Sequence, residues 1–147
     1  MKNKGDVKKM SEKEFTLKNY FDFLTEGKLM GSKCKCGKLY VPPRKFCSNC
    51  ASTDFEWTEF TGNGKLSTFS LIHVGARYFT NQGYSMKKPY CFSVIQLDEG
   101  PSVSGHLIGI DESNPDNFKI GMRVKAKYIK VEIEGREPRV DLGFEPT

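Results

Sequence analysis

The segment CKCGKLYVPPRKFCSNC, residues 34–50, sets four cysteines within seventeen positions, one pair as C-x-C and the other as C-x-x-C. Paired cysteines on two tight turns are how a chain delivers four thiolates to one tetrahedral ion. Cys47-x-x-Cys50 has the spacing of such a turn. Gly37, just after Cys36, gives the first turn its conformational freedom, and Pro42-Pro43 stiffens the link between the halves. The sequence therefore predicts a metal site built from Cys34, Cys36, Cys47 and Cys50. Zinc is the expected ion, and iron would use the same four ligands. A closed set of four thiolates leaves no open position for chemistry, so the site reads as structural. The first pair is one residue shorter than the usual C-x-x-C, which predicts a weaker grip on the ion at Cys34.

The remaining composition sets limits on what surrounds this site. In 147 residues, 37% are hydrophobic and 28% charged, a soluble globular balance. No apolar run approaches the ~18 residues of a membrane span. The opening MKNKGDVKKM is polar and is not followed by an apolar stretch, so no secretory signal is expected. Thiols kept for metal fit a reducing cytoplasm. The net charge of +5 hints at nucleic acid, but residues 1–9 alone carry +3. Four thiolates on a divalent ion would bring the rest close to neutral, whereas a duplex binder needs a basic face. One local excess survives around the cysteines: Lys28, Lys33, Lys35, Lys38, Arg44 and Lys45, with no acid between residues 27 and 50. It suits either a solvated rim or an anion site.

Along the chain, residues 1–10 read as a disordered tail, with Met10 a candidate start. Residues 11–30 form a helical segment. Ser11 to Glu14 is an S-x-x-E capping box, and Leu17, Tyr20, Phe21 and Leu24 recur on one helical face. That stripe either packs on the rest of the domain or docks a partner. Residues 31–60 hold the cysteine module. The turn Thr61-Gly62-Asn63-Gly64 opens the last region, 61–147, where five runs of strand character follow at 65–74, 89–97, 102–110, 121–133 and 138–144. In the fourth run the alternation passes from Val124, Ala126 and Tyr128 to Ile129, Val131 and Ile133, which predicts a bulge or a strong bend there. The chain is thus mainly β, and five short strands with one bent suit an OB-fold barrel.

Catalytic signals are sparse. His73, His106 and Cys91 fall in expected strands, Asp98-Glu99-Gly100 reads as a hairpin turn, and no nucleophile elbow, P-loop or dinucleotide fingerprint is present. No enzyme activity is expected; a Cys91–histidine pair is the one catalytic alternative. The long connection VGARYFTNQGYSMKKP, 74–89, mixes Arg77, Lys87 and Lys88 with Tyr78, Phe79 and Tyr84. Cations beside rings suit a nucleotide-like ligand, and equally single-stranded nucleic acid on an OB-fold. An unliganded surface loop would look the same.

The order of parts, together with CGKLYVPPRKFCSNC, FTGNGKLSTFSLIHV and VIQLDEGPSVSG, resembles the rubredoxin-like zinc ribbon plus OB-fold family of acyl-CoA-associated proteins over about residues 12–147. The resemblance implies a non-catalytic subunit that accompanies thiolases or related condensing enzymes. In its archaeal form it implies a bridge between acetoacetyl-CoA thiolase and hydroxymethylglutaryl-CoA synthase, serving mevalonate synthesis through a shared coenzyme A site. The family's metal ligands fall on Cys34, Cys36, Cys47 and Cys50. Coenzyme A or acyl-CoA is the implied ligand, for which charge and loop position suggest Arg77, Tyr78, Lys87 and Lys88. The alternative reading is a nucleic-acid-binding ribbon plus OB-fold protein.

Overall fold

A computed structural model describes residues 13–132 and 135–147. The tail at 1–10, Met10, Ser11 and Ile133 fall outside the described residues. Helix α1 spans Leu17–Thr25, and its N-cap is Thr16, whose hydroxyl accepts from the Asn19 amide at 3.2 Å. The expected Ser11–Glu14 capping box begins outside the described residues. Gly27, at φ +76°, supplies the left-handed residue that ends it. Tyr20 and Leu24 are buried, as the stripe predicts, but so is Phe23 on a different face.

Two faces are buried because α1 lies between two β-units. The first is a three-stranded antiparallel sheet of β1 (Leu29–Cys34), β2 (Leu39–Tyr40) and β3 (Phe55–Phe60), with β1 central. Phe23 meets it through Trp57, ring centroids 5.0 Å apart. The second is a closed barrel of β4 (Asn63–Ile72), β5 (Tyr90–Leu97), β6 (Ser102–Leu107), β7 (Arg123–Val131) and β8 (Arg139–Pro146). Its order, β4-β5-β6-β8-β7, closes through a parallel β6–β8 pair, and this five-stranded barrel is the expected OB-fold. Between β4 and β5 the chain makes the short helix α2 (Arg77–Thr80). Leu66, Ile95, Leu97, Val103, Leu107, Val124 and Phe144 fill the barrel core, which Tyr20 and Leu24 join from α1.

The expected bulge is not in β7. Its pairing with β8 runs unbroken from Val124 to Val131. The parity change there has another cause: Val124, Ala126 and Tyr128 belong to the core, while Ile129 and Val131 sit on the opposite face, beside α1. Both faces of one strand are covered. The register shift lies in β4, between Leu66 and Thr68. Before it, Gly64 and Leu66 are buried; after it, Phe69 and Leu71 take over. This strand pairs with β5 along its length and with β7 at its start, so it must curl, and an extra residue permits that.

Gly31 sits in β1 where strand and ring close in. A Cβ there would strike the Tyr40 carbonyl oxygen and come within 2.6 Å of Phe60 Cε2. Gly31→Ala should lower stability by about 2 kcal/mol, as overpacking typically does. Urea unfolding checks this, and an unchanged midpoint would contradict the packing described.

Candidate metal centre and ligand cleft

The four thiols converge. Cys34 ends β1, the Gly37 amide turns back onto the Cys34 carbonyl at 2.8 Å, and the Ala51 amide does the same to Cys47 at 2.9 Å. These turns bring the Sγ atoms of Cys34, Cys36, Cys47 and Cys50 within 4.8 Å of one another. The Cys34–Cys50 and Cys36–Cys47 separations are 3.4 and 3.7 Å. A zinc tetrathiolate with bonds of about 2.3 Å has sulfur–sulfur edges of about 3.8 Å, so the donor set fits such an ion. The short C-x-C reaches the cluster with both its thiols.

Neighbouring groups make the site acidic on one side. Burial pushes the Cys34 thiol up to about 12. Burial also acts upward on Cys47, but the Tyr40 hydroxyl and the backbone amides of Cys50 and Asn49 outweigh it and hold this thiol at about 6. Tyr40 donates to Cys47 Sγ at 3.5 Å and accepts from the Ser48 amide at 3.0 Å. The ribbon's own core is small: Cys34, Tyr40 and Cys47, with Phe55 against them. Ser32, fully buried, clamps the proline link by accepting from the Arg44 amide at 2.9 Å.

The second feature is a cleft of 390 Å³ between α1, α2 and the outer face of the barrel. Leu17 and Phe21 line one wall, Phe92, Ile129 and Val131 the other. An ion pair lies in the cleft lining: Arg139 Nε meets Asp141 Oδ1 at 2.7 Å, and the Tyr78 hydroxyl donates to the other carboxylate oxygen. The Arg139 guanidinium lies 5.2 Å from the Tyr78 ring centroid and 5.4 Å from that of Phe21. The 74–89 connection is thereby fastened to the barrel, helped by Phe79 stacked on Tyr90 at 4.0 Å.

Of the residues suggested for coenzyme A, Tyr78 lines this cleft and Arg77 beside it is exposed. Lys87 and Lys88 sit elsewhere, at a 300 Å³ hollow shared with Ile110, Asp111 and Glu112. A Ser85–Lys88 bridge shapes that part of the connection, and the Lys88 ammonium lies 5.7 Å from the Tyr84 ring centroid. The cysteines come together as one cluster; the four loop residues form two groups. Sequence reading missed Tyr40, Arg139 and Asp141. Tyr40 was visible only as an aromatic inside the cysteine segment, and the other two resembled ordinary strand-surface charges.

No nucleophile–base pair forms from Cys91 and the histidines. Cys91 is fully buried inside the barrel, and burial pushes its thiol up to about 12. His106 is on the outer face, 3.3 Å from the Tyr84 hydroxyl and 3.9 Å from Glu112 Oε1, and burial pulls its pKa down. Exposed His73 is hydrogen-bonded to the Met86 carbonyl at 3.1 Å.

Comparison with known proteins agrees with this architecture. Family models described as the ChsH2 rubredoxin-like zinc ribbon domain and the ChsH2 C-terminal OB-fold domain match residues 21–56 and 57–128. A DUF35 domain-containing scaffold protein of Methanocaldococcus jannaschii is 32% identical over 79% of this chain and 78% of its own. One of Pyrococcus furiosus is 33% identical, covering 74% of each. The benzoylsuccinyl-CoA thiolase subunit BbsA of Thauera aromatica is 34% identical over 62% of this chain and 56% of its own. Among solved structures, a chain of an Ltp2-ChsH2(DUF35) aldolase shares the fold with a TM-score of 0.72 at 24% identity, over 92% of this chain and 97% of that one.

Two outcomes are expected of the metal centre. Tyr40→Phe should weaken zinc about tenfold, since it removes a hydrogen bond that supports a ligand; chelator competition measures this, and native affinity would contradict the role given to Tyr40. Stripping the ion should red-shift the emission of Trp57, the one tryptophan of the chain, which packs on Phe15 and Phe23 beside the ribbon. An unmoved spectrum would mean that the sheet holds without metal.

Proposed function

From the premise that this chain belongs to the ChsH2-type family of rubredoxin-like zinc ribbon plus OB-fold proteins, which includes DUF35 domain-containing scaffold proteins, we propose that it is a non-catalytic scaffold subunit. Its partner is an enzyme of the thiolase class, and it holds a coenzyme A thioester for that enzyme. The observation that supports this most is the cleft, an apolar groove whose lining includes no cysteine, while Cys91 is sealed in the barrel core. Such a lining favours binding over turnover.

In its finer form the reading is a bridge between acetoacetyl-CoA thiolase and hydroxymethylglutaryl-CoA synthase in the cytoplasm. A ligand kept between two enzymes sees the second at a high effective concentration. The phosphates of the nucleotide end would lie on Arg77, Lys87 and Lys88. The nucleic-acid alternative finds less support, because the outward cations at the start of β7 are paired. Arg123 makes two bonds to Asp98, at 2.7 and 2.8 Å, while Lys125 and Lys127 both reach Glu145, at 3.6 and 3.3 Å. No helix among the described residues is long and apolar enough to cross a membrane.

Replacing Lys87 and Lys88 together by Ala should weaken coenzyme A binding about tenfold and leave the zinc content unchanged, as loss of charge-assisted phosphate contacts does. Calorimetric titration of the zinc-loaded chain tests this. Native affinity in the double variant would remove both lysines from the site.

A further inference from the structure

The scaffold reading names a ligand but does not say which part of it this chain holds. Resting on that reading, we infer that the cleft between α1, α2 and the barrel receives the uncharged pantetheine arm of the thioester, while its phosphates stay outside on the 74–89 connection.

Three observations lead there. The first is uncovered apolar surface on both walls. Leu17 belongs to the apolar stripe of α1 yet is 59% exposed, and Phe92 across from it on the barrel is 41% exposed. A single exposed Leu means little, but two large apolar side chains lining one 390 Å³ space mark a site of small-molecule size.

The second is charge. The acid and base of the cleft, Asp141 and Arg139, hold each other at 2.7 Å, and the second carboxylate oxygen is taken by Tyr78. A phosphate or free carboxylate entering here would lose water and meet a cation already neutralised. What remains for a ligand is neutral and polar: the Gln82 amide, the Ser104 hydroxyl and the ring of His106, which burial keeps toward its uncharged form. Pantetheine has this character, with methylenes and a gem-dimethyl group alternating with two amides and a hydroxyl, and no charge.

The third is continuity. Helix α2 sets Tyr78 in the cleft and Arg77, the preceding residue, in solvent. An arm in the cleft whose nucleotide end emerges beside Tyr78 would thus meet a cation.

Titration of the zinc-loaded full chain with pantetheine, adenosine 3′,5′-bisphosphate and coenzyme A separates the parts. All three should bind, coenzyme A most tightly. Leu17→Glu and Ser104→Glu, both at exposed positions that tolerate charge, should each weaken pantetheine and coenzyme A about tenfold or more, because they set an unpaired charge against a desolvated neutral ligand. Neither should change bisphosphate binding, whereas the Lys87/Lys88 double variant should weaken the bisphosphate and coenzyme A and leave pantetheine unchanged. If coenzyme A binds and both Glu variants keep native affinity, the cleft assignment is wrong and the scaffold reading stands. If the bisphosphate and coenzyme A bind but pantetheine does not, the cleft assignment is again wrong. Failure of coenzyme A to bind the native chain, with or without a thiolase-type partner, overturns both.

Discussion

Four sulfurs held within 4.8 Å of one another are the constraint from which the rest of the arrangement follows. Thiolates at that distance repel, and only a shared cation makes the cluster favourable. The ribbon has little else to hold it, since its buried core amounts to two cysteines, one tyrosine and a flanking phenylalanine. The ion stands in for a hydrophobic core too small to fold a sheet alone. From there, contacts lead outward. Tyr40 touches Cys47 and, at 6.0 Å between centroids, Phe55; Phe55 meets Phe15, also at 6.0 Å; Phe15 and Phe23 both pack on Trp57. Phe23 lies on α1, whose other face forms a wall of the cleft. The metal centre thus sets the position of the helix without touching a ligand.

Division of labour is the consequence. A closed tetrathiolate offers no coordination site, and the barrel keeps its one thiol sealed in the core. Where the two units meet the helix they leave an apolar groove fastened at its lining by an ion pair. A neutral groove suits the holding role proposed above. The thioester chemistry would belong to a second protein, and the scaffold's contribution would be position.

Some of this was legible in the sequence. The convergence of the four cysteines was, because cysteine spacing is a local signal with few structural outcomes. Five strands and their order along the chain were, because alternation is local too. The α1 stripe was legible in Tyr20 and Leu24. The rest depends on contacts between distant segments. Phe23 is buried because a second unit lies behind the helix, which no single stripe reveals. Ile129 and Val131 mimic a bulge because the helix covers the barrel's outside, while the true bulge at Leu66–Thr68 hides in a run of polar and apolar residues with no clean period. Lys87 and Lys88 stand near Tyr78 in sequence, but they line a separate hollow.

The central claim is that this protein works by holding a coenzyme A thioester for an enzyme of the thiolase class. The most direct measurement is gentle affinity capture of the tagged chain from its own cells, with stoichiometric partners identified by mass spectrometry. The account predicts recovery of a thiolase-class condensing enzyme, and hydroxymethylglutaryl-CoA synthase beside it if the bridge is of the mevalonate kind. Recovery instead of polymerase, ribosomal or replication proteins, or of nuclease-sensitive nucleic acid, would contradict it and return the barrel to the nucleic-acid reading.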